Sequence, residues 1–557
     1  MKRFFGISLL FTLLAVQAWA AEVSERVYLS TDKDVYVAGD IIWCSAFCFD
    51  GSGSLSSASS IAYVEVASVE GVVATAKIGL IDGRGSGSVA IPLSAPTGNY
   101  RIIAYTSSGK GRPDLETDGK TLSVFNTLSA RRVSKGVDLL PDDEYQRTPA
   151  AAKAVQGRVS VSCPSALPSS SVKVLLENGE TSVASLSLSV FCDDGIVSPS
   201  DASIVKFASG SSSWSAEAVD LDGEVFHGHL VGTKKTDVLA NQFCSAVIAF
   251  PGRATDIYMG KFNPDGTVDI KTLNVYGNHD LVCEILGQKE DSDCRLVIES
   301  PFLRKTPSEL PTLGLCTGLE DALVRRSLAV QNDRIAATDT LFEFLPKRES
   351  VLLSDTYCVS YHLDDYDRFP TVRETLIEIT PNLRVRKGPD GKLQMQMLLK
   401  DVDAFSSNVL TLIDGVPVKD IASLLDFDCM LFGDILVYPY TYSFGSAVFQ
   451  GVVDFVTTKG DISSFKFDRN VEIVEWQGAS YPVAYTCQGL LPSEDRDSAV
   501  DLRGTLYWHP SLSIAAGGSM EVEVKTPSYP GTFRVVAEGV TSEGKPFRTE
   551  TTLTVGR

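Results

Sequence analysis

The chain has 557 residues, carries a net charge of −20 at pH 7 and lacks a cluster of lysine and arginine. This balance disfavours nucleic acids and anionic membranes as partners, because clustered basic side chains must neutralise their phosphates. The length predicts three to five domains and is too great to need a disulfide framework.

The cysteines do not form a recognisable redox or metal motif. There are 11 of them, an odd number, and no two are spaced as CxxC. Most lie in apolar, strand-like segments, where cysteine acts as a small hydrophobic residue. Cys283 and Cys294 flank a hairpin-like turn and are the pair to test for a disulfide.

The N-terminus is typical of a secretory signal peptide. Lys2 and Arg3 supply positive charge, Phe4–Val16 is apolar, and Ala18-Trp19-Ala20 is a small-x-small cleavage site. The apolar run is shorter than the about 20 residues that cross a bilayer, and no comparable run follows. We expect residues 1–20 to be removed and the exported chain to have no integral membrane span.

Residues 21–128 open with three short strand patterns. Val27–Thr31 alternates, Val35–Val37 follows a polar turn, and Ile41-Ile42-Trp43 follows the turn Ala38-Gly39-Asp40. This order is typical of the start of an immunoglobulin-like β-sandwich.

The same segment resembles the second domain of the α2-macroglobulin family, with its V-Y-x-x-T-D-K-x-x-Y-x-x-G-D pattern. Gly98–Thr106 is similar to the G-x-Y-x-L-x-A-Y-T strand of macroglobulin-type domains in large envelope proteins of Gram-negative gut bacteria. The resemblance implies a macroglobulin-like sandwich. It does not imply covalent protease trapping, because no cysteine lies in the G-C-x-E-Q thioester pattern.

Residues 129–151 are polar and charged, which predicts an exposed linker. Residues 152–221 then predict a β-sandwich with an irregular insertion, in which Ser185–Val190 alternates strictly. Residues 222–303 resemble the carboxypeptidase-regulatory-like sandwich, a binding or spacer module.

Helical signals appear next. In residues 304–360, a helical connector is predicted, because Leu319, Ala322, Leu323 and Val330 share one helical face. In residues 361–470, a capping box at Thr371–Glu374 predicts a helix within a small α+β unit.

Residues 361–470 resemble the plug domain of TonB-dependent outer-membrane receptors. The resemblance rests on Ile413–Val418 and Gly451–Gly460, and it departs from the family at Phe444-Gly445, where Tyr-Gly is usual. Residues 471–557 are too few for a barrel of about 22 strands. The unit could dock to the barrel of another protein or serve as a plain interaction domain.

Residues 471–557 predict a C-terminal macroglobulin-like β-sandwich, because Gly531–Val536 repeats the pattern of the strand at Gly98. The predicted fold class is therefore mainly β, with several immunoglobulin-like β-sandwich domains in tandem and one small α+β plug-like domain.

Candidate catalytic and metal sites are few. His227 and His229 would share one face of a strand, but no third zinc ligand follows at a suitable spacing, so hydrogen-bonded surface or edge-strand residues are favoured. Asp364–Asp367 lacks the glycine and downstream glutamate of a calcium loop and is better interpreted as solvated. No GxSxG, P-loop or dinucleotide motif occurs. We expect no enzyme activity, no catalytic residue, no cofactor and no metal.

Tyr438, Tyr440, Tyr442 and Phe444 recur at every second position. If the strand alternates regularly, all four lie on one face, which is either core or a contact surface for a partner. Both interpretations remain open at this point.

The sequence thus predicts a non-enzymatic binding or scaffolding protein with a protein partner in the Gram-negative envelope. It would be periplasmic or peripherally associated with the outer membrane. The alternative is an accessory, plug-like partner of a TonB-dependent uptake system, for which an outer-membrane barrel is the candidate partner.

Overall fold

The computed structural model describes residues 24–112, 114–116, 118–145, 155–196, 198–199, 202–210, 219–252, 256–289, 291–335, 353, 357–389, 391–444, 447–460, 462–482 and 501–556. The predicted signal peptide at residues 1–20 lies outside these ranges. The described part is mainly β, which confirms the predicted fold class.

The first sandwich places two sheets around one apolar core. Its strands are β1 (Glu25–Thr31), β2 (Val35–Val37), β3 (Ile41–Asp50), β4 (Ile61–Ser68), β5 (Gly71–Gly79), β6 (Arg84–Ala90), β7 (Gly98–Tyr105) and β8 (Lys120–Phe125). One sheet has the order β1-β3-β6, and the other has the order β2-β8-β7-β4-β5. Alternating residues such as Ile42, Val64 and Ile102 face inwards and are buried between the sheets.

The second sandwich is built from two distant parts of the chain. Its strands are β10 (Val155–Gln156), β11 (Val159–Ser162), β12 (Ser171–Asn178), β13 (Ala184–Cys192), β30 (Thr505–Ile514), β31 (Ser519–Lys525), β32 (Gly531–Thr541) and β33 (Pro546–Val555). The sheets have the orders β10-β33-β32-β13-β30 and β11-β12-β31.

This pairing corrects the predicted domain division. The sequence predicts separate sandwiches at 152–221 and 471–557, whereas β13 lies between β32 and β30, and β12 pairs with β31. Each segment alone supplies only part of each sheet and would leave its apolar face uncovered. The two segments therefore form one discontinuous sandwich.

The third sandwich is also completed from a distance. Its strands are β14 (Val225–Val231), β15 (Ser245–Phe250), β16 (Asp256–Gly260), β17 (Thr267–Lys271), β18 (Asn278–Leu286), β19 (Arg295–Ile298) and β29 (Glu472–Gln477). The sheets have the orders β17-β14-β19 and β16-β15-β18-β29. The strand β29 thus joins this sandwich, although its residues fall in the predicted C-terminal domain.

Residues 359–465 form the α+β unit. Its strands are β21 (Val359–His362), β22 (Leu383–Lys387), β23 (Leu393–Leu399), β24 (Ala404–Ser406), β25 (Leu410–Ile413), β26 (Val416–Pro417), β27 (Phe432–Phe444) and β28 (Ala447–Thr457). They form sheets with the orders β21-β27-β28-β25-β26 and β22-β23-β24. The predicted capping box is present, because Thr371 Oγ1 accepts a hydrogen bond from the backbone N–H of Glu374 at 3.3 Å.

Helices are short and few in the described ranges. They are α1 (Ile204–Ser209), α2 (Lys235–Ala240), α3 (Glu320–Ile335), α4 (Val372–Glu378) and α5 (Ile421–Leu425), with 3-10 turns at Ser107–Gly109, Thr317–Leu319, Leu363–Asp365 and Cys429–Leu431. No helix in these ranges is both long enough and apolar enough to cross a membrane.

A small connector lies beside the first sandwich. The strand β9 (Val137–Leu139) pairs in parallel with β20 (Leu313–Leu315), and α3 follows β20. The described part of the predicted linker, residues 129–145, is mostly exposed, but β9 anchors it to the later segment. Residues 146–151 of that linker lie outside the described ranges.

The chain order makes the domains nested. The third sandwich is inserted between the two halves of the second, and the α+β unit is inserted between β19 and β29 of the third. Because of these insertions, several domain boundaries lie where the chain leaves one domain to form another and later returns, rather than between consecutive independent domains.

Candidate functional site

The aromatic row of β27 does not form one exposed face. Tyr438 and Phe444 are only 4% and 2% exposed and belong to the core of the α+β unit, while Tyr440 and Tyr442 are half-buried. The pairing of β27 with β28 shifts register between Tyr438 and Thr441, which breaks the strict alternation that a single face requires.

The two half-buried tyrosines remain near the surface. The ring of Tyr440 meets the exposed ring of Tyr357 edge-on at 5.5 Å, and Tyr442 meets Tyr438 at 6.3 Å. Only Tyr440 and Tyr442 of the predicted row are therefore available for contact with a partner. Phe444, at the far end, packs against Phe449 instead.

The two histidines of β14 lie on the surface of a central strand rather than an edge strand. His227 Nδ1 lies 2.7 Å from Asp269 Oδ1, and His229 Nδ1 lies 3.1 Å from Glu299 Oε1. Each imidazole thus has its own carboxylate. Across the described ranges, no three His, Cys, Asp or Glu side chains come together as a metal site.

The other residues singled out from the sequence lie in two different domains. Cys283 and Cys294 are both buried and free, in the core of the third sandwich. Asp364 is exposed and pairs with Arg368 at 2.7 Å, as expected of a solvated acidic turn. These positions do not combine into a reactive constellation.

The Thr31–Asp40 segment, which carries the macroglobulin resemblance, forms an internal polar cluster. Asp32 Oδ1 accepts hydrogen bonds from the Tyr36 hydroxyl at 2.8 Å and from the Trp43 backbone N–H at 3.1 Å. Lys33 Nζ lies 3.1 Å from Asp32 Oδ2. Burial alone would lower the pKa of Lys33, but the neighbouring carboxylates raise it above its usual value.

This cluster faces the second sandwich rather than solvent. Thr505 donates its hydroxyl to Asp32 Oδ2 at 3.1 Å, and the rings of Trp43 and Trp508 lie 6.2 Å apart. Nearby, the Tyr28 hydroxyl donates to Glu538 Oε2 at 3.1 Å. The polar residues of this segment thus join two domains and are not open to a ligand.

A second buried ion pair joins the first and third sandwiches. Lys77 Nζ lies 2.7 Å from both carboxylate oxygens of Glu224, and the Trp476 indole N–H donates to Glu224 at 3.3 Å. Burial lowers the pKa of Lys77 and raises that of Glu224, whereas their attraction opposes both shifts. The pair is shielded from water and therefore has a structural role.

An accessible groove of about 560 Å³ lies between α3 and the β9–β20 pair. Leu139 is 85% exposed on one wall, and Val324 and Leu328 are 52% and 44% exposed on the other. Its lining residues are Thr127, Leu139, Leu140, Leu315, Cys316, Thr317, Glu320, Leu323, Val324, Ser327 and Leu328.

Polar side chains also line this groove and are hydrogen-bonded. The Thr127 hydroxyl donates to Ser327 at 2.9 Å, and Thr317 donates its hydroxyl to Asp142, which also accepts from the backbone N–H of Gly318. The bond from Thr317 holds the pKa of Asp142 below its usual value. An apolar groove of this kind is suited to binding a partner's apolar side chains.

Sequence reasoning missed the groove although its signal was present. The predicted helical face is correct, since Leu319 and Ala322 are buried and Leu323 and Val330 pack against the same cluster. A second stripe, Val324 and Leu328, is spaced i, i+4 and lies outside that face. Two apolar stripes on one helix indicate two contact surfaces.

No protein family and no curated protein matches the chain significantly. Among solved structures, it aligns with the methylamine-reacted α2-macroglobulin of Salmonella at 11% identity, covering 96% of this chain and 39% of that one, with a TM-score of 0.24. The trypsin-activated α2-macroglobulin of Escherichia coli gives 10% identity, 96% and 42% coverage, and a TM-score of 0.25.

The E. coli adhesin FdeC gives 12% identity over 48% of this chain and 62% of that one, with a TM-score of 0.15. The chain spans about two fifths of the length of the two α2-macroglobulins. TM-scores this low carry no argument about fold or function.

Proposed function

We propose that the chain is a non-enzymatic, exported binding or scaffolding protein of the Gram-negative envelope, periplasmic or peripheral to the outer membrane. The observation that carries this proposal is the apolar groove between α3 and the β9–β20 pair. Its volume of about 560 Å³ and its exposed leucine and valine side chains fit an apolar segment of a partner protein.

The contacts between the three sandwiches support a scaffolding role. The buried Lys77–Glu224 ion pair joins the first sandwich to the third, and the hydrogen bonds of Thr505 to Asp32 and of Tyr28 to Glu538 join it to the second, so the domains are held by desolvated contacts rather than by flexible linkers alone. A surface on such a frame is preorganised, which reduces the entropy lost when a partner binds. Export is supported by the signal-peptide pattern of residues 1–20.

A co-purification from outer-membrane and periplasmic extract tests the proposal. The double variant Val324→Lys, Leu328→Lys places two charges in the groove and should lose the partner that the wild type captures. Ile377→Lys is a matched control, because Ile377 is 73% exposed on α4 and far from the groove in sequence. The captured protein, once purified, should bind the wild type and the control but not the groove variant.

Equal capture by all three proteins would contradict the proposed binding site.

A second candidate is an accessory partner of a TonB-dependent uptake system. The observation that favours it is that the segments resembling the plug domain lie together, because β25, β26, β27 and β28 belong to one sheet. In this case, an outer-membrane barrel should be captured through the α+β unit. Tyr440→Ala with Tyr442→Ala should then abolish capture, while the groove variant should retain it.

A further inference from the structure

The α+β unit docks on an apolar face of the third sandwich. Alternate residues of β15, β16 and β18 face away from the core of that sandwich and join the core cluster of the α+β unit. They are Val247, Ala249, Ile257, Met259, Val282 and Leu286. Because both sides are apolar, removal of this face from water stabilises the docked arrangement.

One acidic side chain interrupts the apolar face. Glu284 lies on β18 between Val282 and Leu286, its side chain is only 2% exposed, and its Oε1 atom has no hydrogen-bond partner. A buried carboxylate oxygen without a partner destabilises the state that buries it.

The charged groups that face Glu284 offset only part of the free-energy cost of burying its carboxylate. Lys419 of the α+β unit lies 3.5 Å from Glu284 Oε2, and its Nζ also donates a hydrogen bond to the backbone oxygen of Ile285 at 2.8 Å, so it leaves Oε1 without a partner. Asp468, on the segment that returns to β29, adds like charge. The docked state therefore favours the neutral carboxyl group, whereas the undocked state exposes it to water.

We propose that protonation of Glu284 tightens the contact between the α+β unit and the third sandwich, so that this inserted unit is held more firmly in acid than at neutral pH. This inference is independent of the proposed partner groove.

The direction and the pH range follow from linkage. Burial raises the pKa of Glu284 from its ordinary 4.5 to about 7. Between these two values the docked state binds more protons than the undocked state, so docking strengthens as the pH falls. The docking equilibrium should change by up to about tenfold for each pH unit in this range and level off above it.

Oxidation of methionine by peroxide, followed residue by residue with mass spectrometry on the full chain, provides the test. Met259 lies in the docking face, Met397 is fully buried within the α+β unit, and Met430 is 52% exposed. The oxidation rate of Met259 should rise from pH 5 to pH 7. Met430 should react at a constant rate, and Met397 should stay protected, which shows that the unit itself remains folded.

Variants identify the responsible group. Glu284→Gln keeps the shape but cannot ionise, so the pH dependence of Met259 oxidation should disappear. Lys419→Met removes the facing cation and should raise the oxidation rate of Met259 at pH 7. Asp454→Asn is the matched control: burial raises the pKa of Asp454 to about 7 as well, but this residue lies inside the α+β unit.

The control should therefore keep the pH dependence of Met259. If the wild type shows no change between pH 5 and pH 7, or if Glu284→Gln retains the full change, the proposal is wrong.

Discussion

At the scale of single residues, the charged side chains that matter most are those hidden from water. Lys77 and Glu224 form one pair across the first and third sandwiches, and Arg326 reaches Asp194 at 2.6 Å beside the first sandwich. The composition gives no hint of them, because a buried lysine and a solvated one look alike in a sequence. Only the tertiary contacts show which charged residues are buried in pairs and which are exposed to solvent.

Replacement of Lys77 by methionine should destabilise the protein strongly. The variant leaves Glu224 buried without its cation, and loss of one partner of a buried pair typically costs about 3–5 kcal/mol. Urea unfolding should show this loss, and the further change Glu224→Gln should recover part of it. Lys173→Met is the control, because its pair with Glu521 is exposed, and the unfolding midpoint should stay unchanged.

If the Lys77→Met variant were as stable as the wild type, the Lys77–Glu224 pair would contribute little to stability and the prediction would be wrong.

The aromatic row of β27 gives a second prediction at this scale. Phe444 is 2% exposed, so Phe444→Ala should destabilise the α+β unit by about 3–5 kcal/mol. Tyr440 is half-buried, so Tyr440→Ala should cost about 1 kcal/mol or less. Calorimetric unfolding of both variants measures the two stability changes. Equal losses of stability would mean that Phe444 and Tyr440 are equally buried, which would contradict this prediction.

At the scale of elements, local patterns predict strands and caps well and pairings poorly. The opening strands of the first sandwich and the capped helix α4 occur where their residues predict them. The four aromatic residues of β27 differ in burial, because a β-bulge changes which side chains face inwards, and the sequence period alone cannot show a bulge. The groove depends on β9 and α3 meeting across about 180 residues of chain, beyond any local signal.

Limited proteolysis tests the predicted linker. In residues 129–145, Arg131, Arg132 and Lys135 are exposed, and the segment pairs with the rest of the chain through a single bridge between Val133 and Thr97 and through the short strand β9. Trypsin should therefore cut first at these three positions. Earlier cleavage inside Val27–Thr106 would contradict the assignment, because that range forms the first sandwich.

At the scale of the whole molecule, the sequence predicts which segments are rich in β-strands but not how they connect, so it predicts four sandwiches where the described part of the chain has three. Strands of the second sandwich that pair directly, such as β13 and β30, are separated by more than 300 residues. Periodicity shows that each has an apolar face, but it cannot show which distant strand covers that face. A linear division into tandem domains therefore splits one sandwich into two, and only the sheet order corrects it.

Hydrogen exchange in a chain truncated after residue 500 tests the nested order of the domains most directly. The strand β13 lies between β32 and β30, so removal of residues 501–557 takes away both of its neighbours. The backbone amides of Ala184–Cys192 should lose their protection, those of β15 in the third sandwich should keep theirs, and the separate 501–557 peptide should restore β13. Unchanged protection of β13 in the truncated chain would show that residues 152–221 fold alone and would contradict the nested architecture.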